Sequence, residues 1–201
     1  MPAPTDTRKV LKLARRERGV TSRELAAAGI HRQVLSRLVE VGQIERVVRG
    51  VYRLPAQSVT EYHGLVLANA SVPQGTICLI SALQFHGIGS QLPSEVWMAI
   101  DRRARRPALQ YPRLRVFRFS GVALTEGVES HRIEGQNVRV YGVAKTLADC
   151  FKYRNKIGLA VAMEALREAW RARRFTADEL DRYARICRVQ RVMQPYLEAV
   201  I

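Results

Sequence analysis

The chain is poor in acid, in cysteine and in long apolar runs. Of its 201 residues only 18 are Asp or Glu, against 33 Lys or Arg, and the formal net charge is +15. An excess of that size favours a polyanionic partner, because each cation laid on a phosphate releases condensed counterions. Charge alone does not separate DNA from RNA or from an anionic membrane. The three cysteines, Cys78, Cys150 and Cys187, are odd in number, far apart and set among apolar or helical residues. That argues against a disulfide framework or a zinc site and for buried thiols in a reducing cytosol. No segment approaches the roughly 20 apolar residues of a membrane span, and the N-terminus lacks the apolar core of a signal peptide. The expected location is therefore the cytoplasm. No Gly-rich phosphate loop of the P-loop or dinucleotide type occurs, so no cofactor is expected.

What is present is enough apolar residue, 47%, to build a real core in two small domains. No internal repeat or low-complexity tract interrupts the chain. The charge is clustered: residues 1–55 hold 12 basic and 5 acidic side chains, residues 56–100 hold none basic, and residues 101–118 hold seven basic and one acidic. Clustering is what a binding surface requires.

The first 55 residues carry the most informative order. Val10, Leu11, Leu13 and Ala14 recur at helical spacing, predicting a helix from about Thr5, whose hydroxyl can accept backbone donors as an N-cap, to Arg18, which Gly19 stops. Val20 is expected to pack under the next helix. Thr21-Ser-Arg-Glu24 has the form of a capping box and opens a helix over Ser22–Ala28, ended by Gly29. A three-residue turn leads to a third helix from about His31 to Val41, buried through Val34, Leu35, Leu38 and Val39. Two helices joined by a short Gly-containing turn are the helix-turn-helix signature, whose second helix lays its N-terminal residues in the major groove. Here those are His31, Arg32, Gln33, Ser36 and Arg37, with Arg23 on the preceding helix as a further DNA contact. The run Ile44–Leu54 reads as two strands around Arg49-Gly50, a wing whose Arg46, Arg49 and Arg53 can reach phosphate or the minor groove. Small helical units with a hairpin also serve as protein-interaction modules, and that reading stays open on order and charge alone.

Pro55 and the residues after it read as a seam between a domain at 1–55 and a second at 56–201, with a helix from about Val59 to Asn69 capped by Ser58 or Thr60. Strands are predicted at Thr76–Ile80, Glu95–Asp101, Leu114–Phe119, Gly127–Ile133 and Asn137–Val140, with Ser81–His86 as a helical turn and Glu134-Gly135-Gln136 as a hairpin turn. Helices follow at about Val143–Lys156, Leu159–Ala172, Ala177–Ile186 and Val189–Glu198. The expected class is α+β: an N-terminal winged helix-turn-helix, then a mixed sheet packed with C-terminal helices. Arg102, Arg103, Arg105 and Arg106 form the only dense charge run, in a loop between two strands. They either track a DNA backbone or are simply solvated.

Support for catalysis is thin. His63, His86 and His131 lie in separate elements without metal-ligand spacing, so neither catalytic nor metal residues are assigned. A nuclease would want an acidic pair and a lysine around a divalent ion; Glu95 and Asp101 flank a strand, but Arg102 and Arg103 follow. On a helix, Lys145, Asp149 and Lys152 share one face at spacings of four and three, reading as an ion-paired docking helix or as a contact surface for a protein or nucleic acid.

Three blocks, Leu38–Pro55, Ile80–Gly87 and Ala144–Arg154, resemble in order and spacing the AbiEi antitoxins of type IV toxin-antitoxin and abortive-infection systems. The resemblance implies a winged helix that binds inverted repeats in the promoter of its own operon, with Arg32, Gln33, Ser36, Arg37, Arg46, Arg49 and Arg53 on double-stranded DNA. It also implies a C-terminal domain that counters a nucleotidyltransferase-like toxin without need of a stable complex. A nucleic-acid-processing enzyme delivered by a winged helix is the alternative.

Overall fold

The computed structural model describes residues 4–15, 19–55 and 60–200. It divides into two units, residues 1–71 with 131–138 and residues 72–130 with 139–201.

In the first unit, helix α1 spans Pro4–Ala14 and turns Val10 and Ala14 fully inward. The expected cap at Thr5 and the helix's continuation over residues 16–18 lie outside the described residues and side chains. Gly19 follows at φ +66°, where an added Cβ would stand 2.3 Å from the Tyr52 carbonyl oxygen. Only glycine fits so close an approach in that conformation. Val20 is buried as expected, but it does so in a strand, β1 (Val20–Thr21), which pairs antiparallel with the wing. Two residues are too few for alternation to reveal a strand.

Helix α2 (Ser22–Ala27) opens on the predicted capping box: the Glu24 amide donates to Thr21 Oγ1 at 3.1 Å, and the Thr21 amide donates to Glu24 Oε2 at 2.8 Å. Helix α3 (Arg32–Glu40) packs Val34, Leu35 and Leu38 on Leu25, Ile30, Ile44 and Tyr52, while Val39 is only half-buried. Burial of each such aliphatic side chain contributes about 1.5–3 kcal/mol. The wing is β2 (Glu45–Val48) and β3 (Val51–Arg53), and the sheet order is β1-β3-β2. Helix α4 (His63–Ser71) places Leu67 against Val48 and Val51, so the first unit runs past Pro55. The predicted helix start at Val59 and the cap at Ser58 lie outside the described residues.

In the second unit the elements are β4 (Thr76–Ile77), α5 (Leu79–Phe85), β5 (Val96–Asp101), β6 (Leu114–Phe119) and α6 (Val122–Thr125), then β7 (Val128–Ile133) and β8 (Gln136–Tyr141), whose turn belongs to the first unit. The helices α7 (Val143–Lys152), α8 (Arg154–Ile157), α9 (Leu159–Arg171), α10 (Ala177–Cys187) and α11 (Gln190–Glu198) close the chain. The apolar run predicted as a strand over Thr76–Ile80 splits, because Leu79 and Ile80 begin α5; a short apolar run does not distinguish strand from buried helix. The expected helix over 143–156 breaks at Tyr153, and the four-residue α6 was not foreseen.

The five strands follow the order β6-β5-β4-β8-β7, with β5–β6 and β4–β8 parallel and β4–β5 antiparallel. The sheet is mixed and the class α+β, as expected. Helix α7 is the hub of this core, its Leu147 and Phe151 packed among Ala162, Ala165 and Leu166 of α9, Leu180 and Ala184 of α10, and Met193 of α11. The alanines let neighbouring helices approach it closely.

Candidate nucleic-acid interface

The face of α3 opposite its apolar stripe is built from Arg32, Gln33, Ser36 and Arg37, all exposed. Its orientation is set by the turn before it: Ile30 is buried, and its amide donates to the Leu25 carbonyl at 2.9 Å. His31 has a role the sequence did not announce, since its Nδ1 accepts the Gln33 amide at 3.3 Å and caps the helix. This N-terminus is the positive end of the helix dipole, and Arg32 adds a full charge beside it.

The wing is pinned to the helix pair. The Gly50 carbonyl at its tip accepts the Ser22 amide at 2.8 Å and the Ser22 hydroxyl at 3.1 Å. Ser22 escaped the sequence reading because its partner lies 28 residues on. Arg46 and Arg49 are exposed, as is Arg23 on α2. Arg53 differs: it is half-buried, and its Nε is held by the Glu45 carboxylate directly across the β2–β3 pair. The first unit therefore carries the exposed α3 residues and the exposed Arg46 and Arg49 of the wing, with Arg53 committed to the hairpin itself.

Arg102, Arg103, Arg105 and Arg106 are exposed in the β5–β6 loop of the second unit. The loop's base is shaped by Arg118, whose guanidinium donates to the carbonyls of Asp101 at 3.1 Å, Arg102 at 3.4 Å, and Ala104. The Arg103 amide donates to Asp101 Oδ1 at 2.7 Å.

Lys145 and Asp149 do form the expected pair, at 2.5 Å, but the helix face carrying them is not a surface: both are fully buried and only Lys152 is exposed. The sequence spacing located the pair, and the surrounding helices removed it from reach of any partner. Lys145 Nζ also sits 4.1 Å from the centroid of Tyr141, and Cys187 donates its thiol to Asp149 Oδ1 at 3.2 Å. Burial pushes the Asp149 carboxyl up, with Lys145 and the Cys187 thiol opposing it. Burial, reinforced by Asp149, raises Cys187 to about 12. All three cysteines are buried free thiols.

His63 and His86 are held by different partners. His63 Nδ1 lies 2.6 Å from Glu134 Oε2, while His86 Nε2 lies 2.8 Å from the Tyr141 carbonyl. Glu134 also accepts the Thr60 amide and hydroxyl, each at 2.8 Å. Burial raises its pKa, but the Thr60 and His63 contacts outweigh burial and leave it below the ordinary value. Among the described residues, no three His, Cys, Asp or Glu side chains gather as a metal site would require, and no helix is long and apolar enough to cross a membrane.

By sequence, no curated protein matches the chain. In fold it is similar to the crystal structure of the RV2827C protein from Mycobacterium tuberculosis, with a TM-score of 0.59 and 17% identity, over 90% of this chain and 71% of that one. At that identity the likeness speaks for the fold alone. Residues 8–55, from within α1 to the end of the wing, match the family described as "Transcriptional regulator, AbiEi antitoxin". That match, over the N-terminal segment alone, supports a DNA-binding regulatory role.

Proposed function

We propose that the chain is a non-enzymatic repressor of its own promoter and the antitoxin of a type IV toxin-antitoxin system. The observation that carries this reading is the division of α3: one face is locked into the core by Val34, Leu35 and Leu38, and the other offers Arg32, Gln33, Ser36 and Arg37 to solvent. A helix held so firmly presents its polar groups at fixed spacing, which direct readout of base edges requires. In this reading Arg32 and Arg37 contact bases, Gln33 and Ser36 assist, and Arg46 and Arg49 hold phosphate. Arg23 and the Arg102–Arg106 loop add backbone contacts, and Arg53 contributes less because Glu45 already neutralises it.

Promoter inverted repeats supply the two half-sites, and a nucleotidyltransferase-like toxin is the functional counterpart. The test is a salt-titrated gel shift on the DNA upstream of the chain's own gene, against scrambled DNA of equal length. A preference of about a thousandfold or more supports the proposal. Equal, steeply salt-dependent binding to both would leave only a basic protein and overturn it.

A further inference from the structure

The second unit holds a cavity of about 610 Å3 whose lining includes Arg102 just after β5, Val122 on α6, Lys152 at the end of α7, and Arg185, Ile186 and Arg188 at the end of α10. Four of these are cations, and among the described residues no carboxylate lines the cavity. Among the described residues, Arg102, Lys152 and Arg188 have no acidic partner within ion-pair distance. Arg185 pairs with Asp181 at 2.5 Å, but the other oxygen of that carboxylate is taken by Gln190 at 2.6 Å. Helix C-termini favour cations, which accounts for Lys152, Arg185 and Arg188 one by one. It does not account for Arg102, which follows a strand, nor for Val122, an apolar side chain left 61% exposed among the charges.

The size lies within the range of small-molecule sites, about 300–1,000 Å3. Four cations lining one cavity with Val122 and Ile186 match a ligand with anionic groups at one end and a flat, weakly polar body at the other. We propose that this cavity binds a free nucleotide, its phosphates on Lys152, Arg185, Arg188 and Arg102 and its base against Val122 and Ile186. The cavity residues belong to the second unit and α3 to the first; Arg102 is the one residue shared with the proposed DNA contacts, and the variants below leave it in place.

The 201-residue chain is titrated calorimetrically with ATP and, separately, with pyrophosphate. ATP should bind, and Lys152→Ala with Arg188→Ala should weaken it tenfold or more. An equal loss of charge on α1, Arg8→Ala with Lys12→Ala, should leave it unchanged. Val122→Ser should weaken ATP several-fold and pyrophosphate not at all. Both Lys152 and Arg188 are exposed, so the variant should keep its melting temperature, which is checked in parallel. Three results would overturn the proposal: no heat from ATP at millimolar concentration; equal response to both probes with no effect of Val122→Ser, which makes the cavity a mere anion sink; or a cavity variant that loses only duplex DNA, which makes it part of a nucleic-acid surface.

Discussion

Helices α3 and α7 look alike as sequences, short stretches in which charged residues interrupt an apolar stripe, and the structure uses them in opposite ways. In α3 the charges Arg32 and Arg37 reach solvent because neighbours cover only one side of the helix. In α7 every residue from Val143 to Phe151 is buried, so Lys145 and Asp149 must satisfy each other. Charged side chains therefore stand open to solvent on a helix of one unit and serve internal architecture on a helix of the other. What decides is the number of elements packed around the helix, a property that lies in the rest of the chain. Gly127 makes the point locally: an added Cβ there would be 2.7 Å from Lys145 Cβ, so even the backbone closes over the lysine.

The comparison breaks most sharply at Lys145. Replacing it by Met leaves the Asp149 carboxylate buried without its cation, and we expect a loss of about 3–5 kcal/mol in stability. The double substitution Lys145→Met, Asp149→Leu should recover most of that loss, since an apolar pair of similar volume needs no solvation. Chemical denaturation of the three proteins checks both statements. A single variant as stable as the parent would show that the pair is not a structural unit.

The second effect falls on α3 and should leave stability untouched. Arg37→Ala is expected to cost about 1–3 kcal/mol in affinity for the promoter and to relax sequence preference, with the melting temperature unchanged. Arg49→Ala should instead weaken all sequences alike and lower the slope of affinity against salt by roughly one. If Arg32→Ala with Arg37→Ala left promoter affinity intact at moderate salt, α3 would not be the recognition helix.

Local chemistry was legible in the sequence, and its surroundings were not. The capping box at Thr21 and Glu24, the apolar stripe of α3, the β6 boundaries and the Lys145–Asp149 pair all follow from residues a few positions apart. The β1 strand, the Ser22 hold on Gly50, the Arg118 brace under the arginine loop and the burial of α7 depend on partners distant in the chain, for which local periodicity carries no signal. The Arg53–Glu45 pair is intermediate: both residues were visible, but their opposition required the register of the hairpin.

A smaller effect tests whether the capping box or the core holds α2 in place. Thr21→Ala removes the hydroxyl that the Glu24 amide uses, and caps of this kind contribute about 1 kcal/mol. The drop should be readable as a lower denaturation midpoint with an unchanged slope. Because α2 carries Ser22, which pins the wing, promoter affinity at the same temperature should fall by less than for Arg37→Ala.

The smallest effect concerns Glu134, at the turn between β7 and β8, which Thr60 and His63 hold below the ordinary carboxylate value against the upward push of burial. A depressed carboxylate stabilises the fold where it is ionised in both folded and unfolded chains, above the unfolded value of about 4.3. That contribution fades as pH falls through the lower, folded value, because protonation then breaks the contacts. The melting-temperature difference between the parent and Glu134→Gln should therefore be present at pH 6 and shrink steadily as pH falls below the ordinary carboxylate range. A difference that grew on acidification would reverse the sign of the shift. It would mean that burial, and not the Thr60 and His63 contacts, governs this carboxylate, which would then resemble Asp149 in the interior of the other unit.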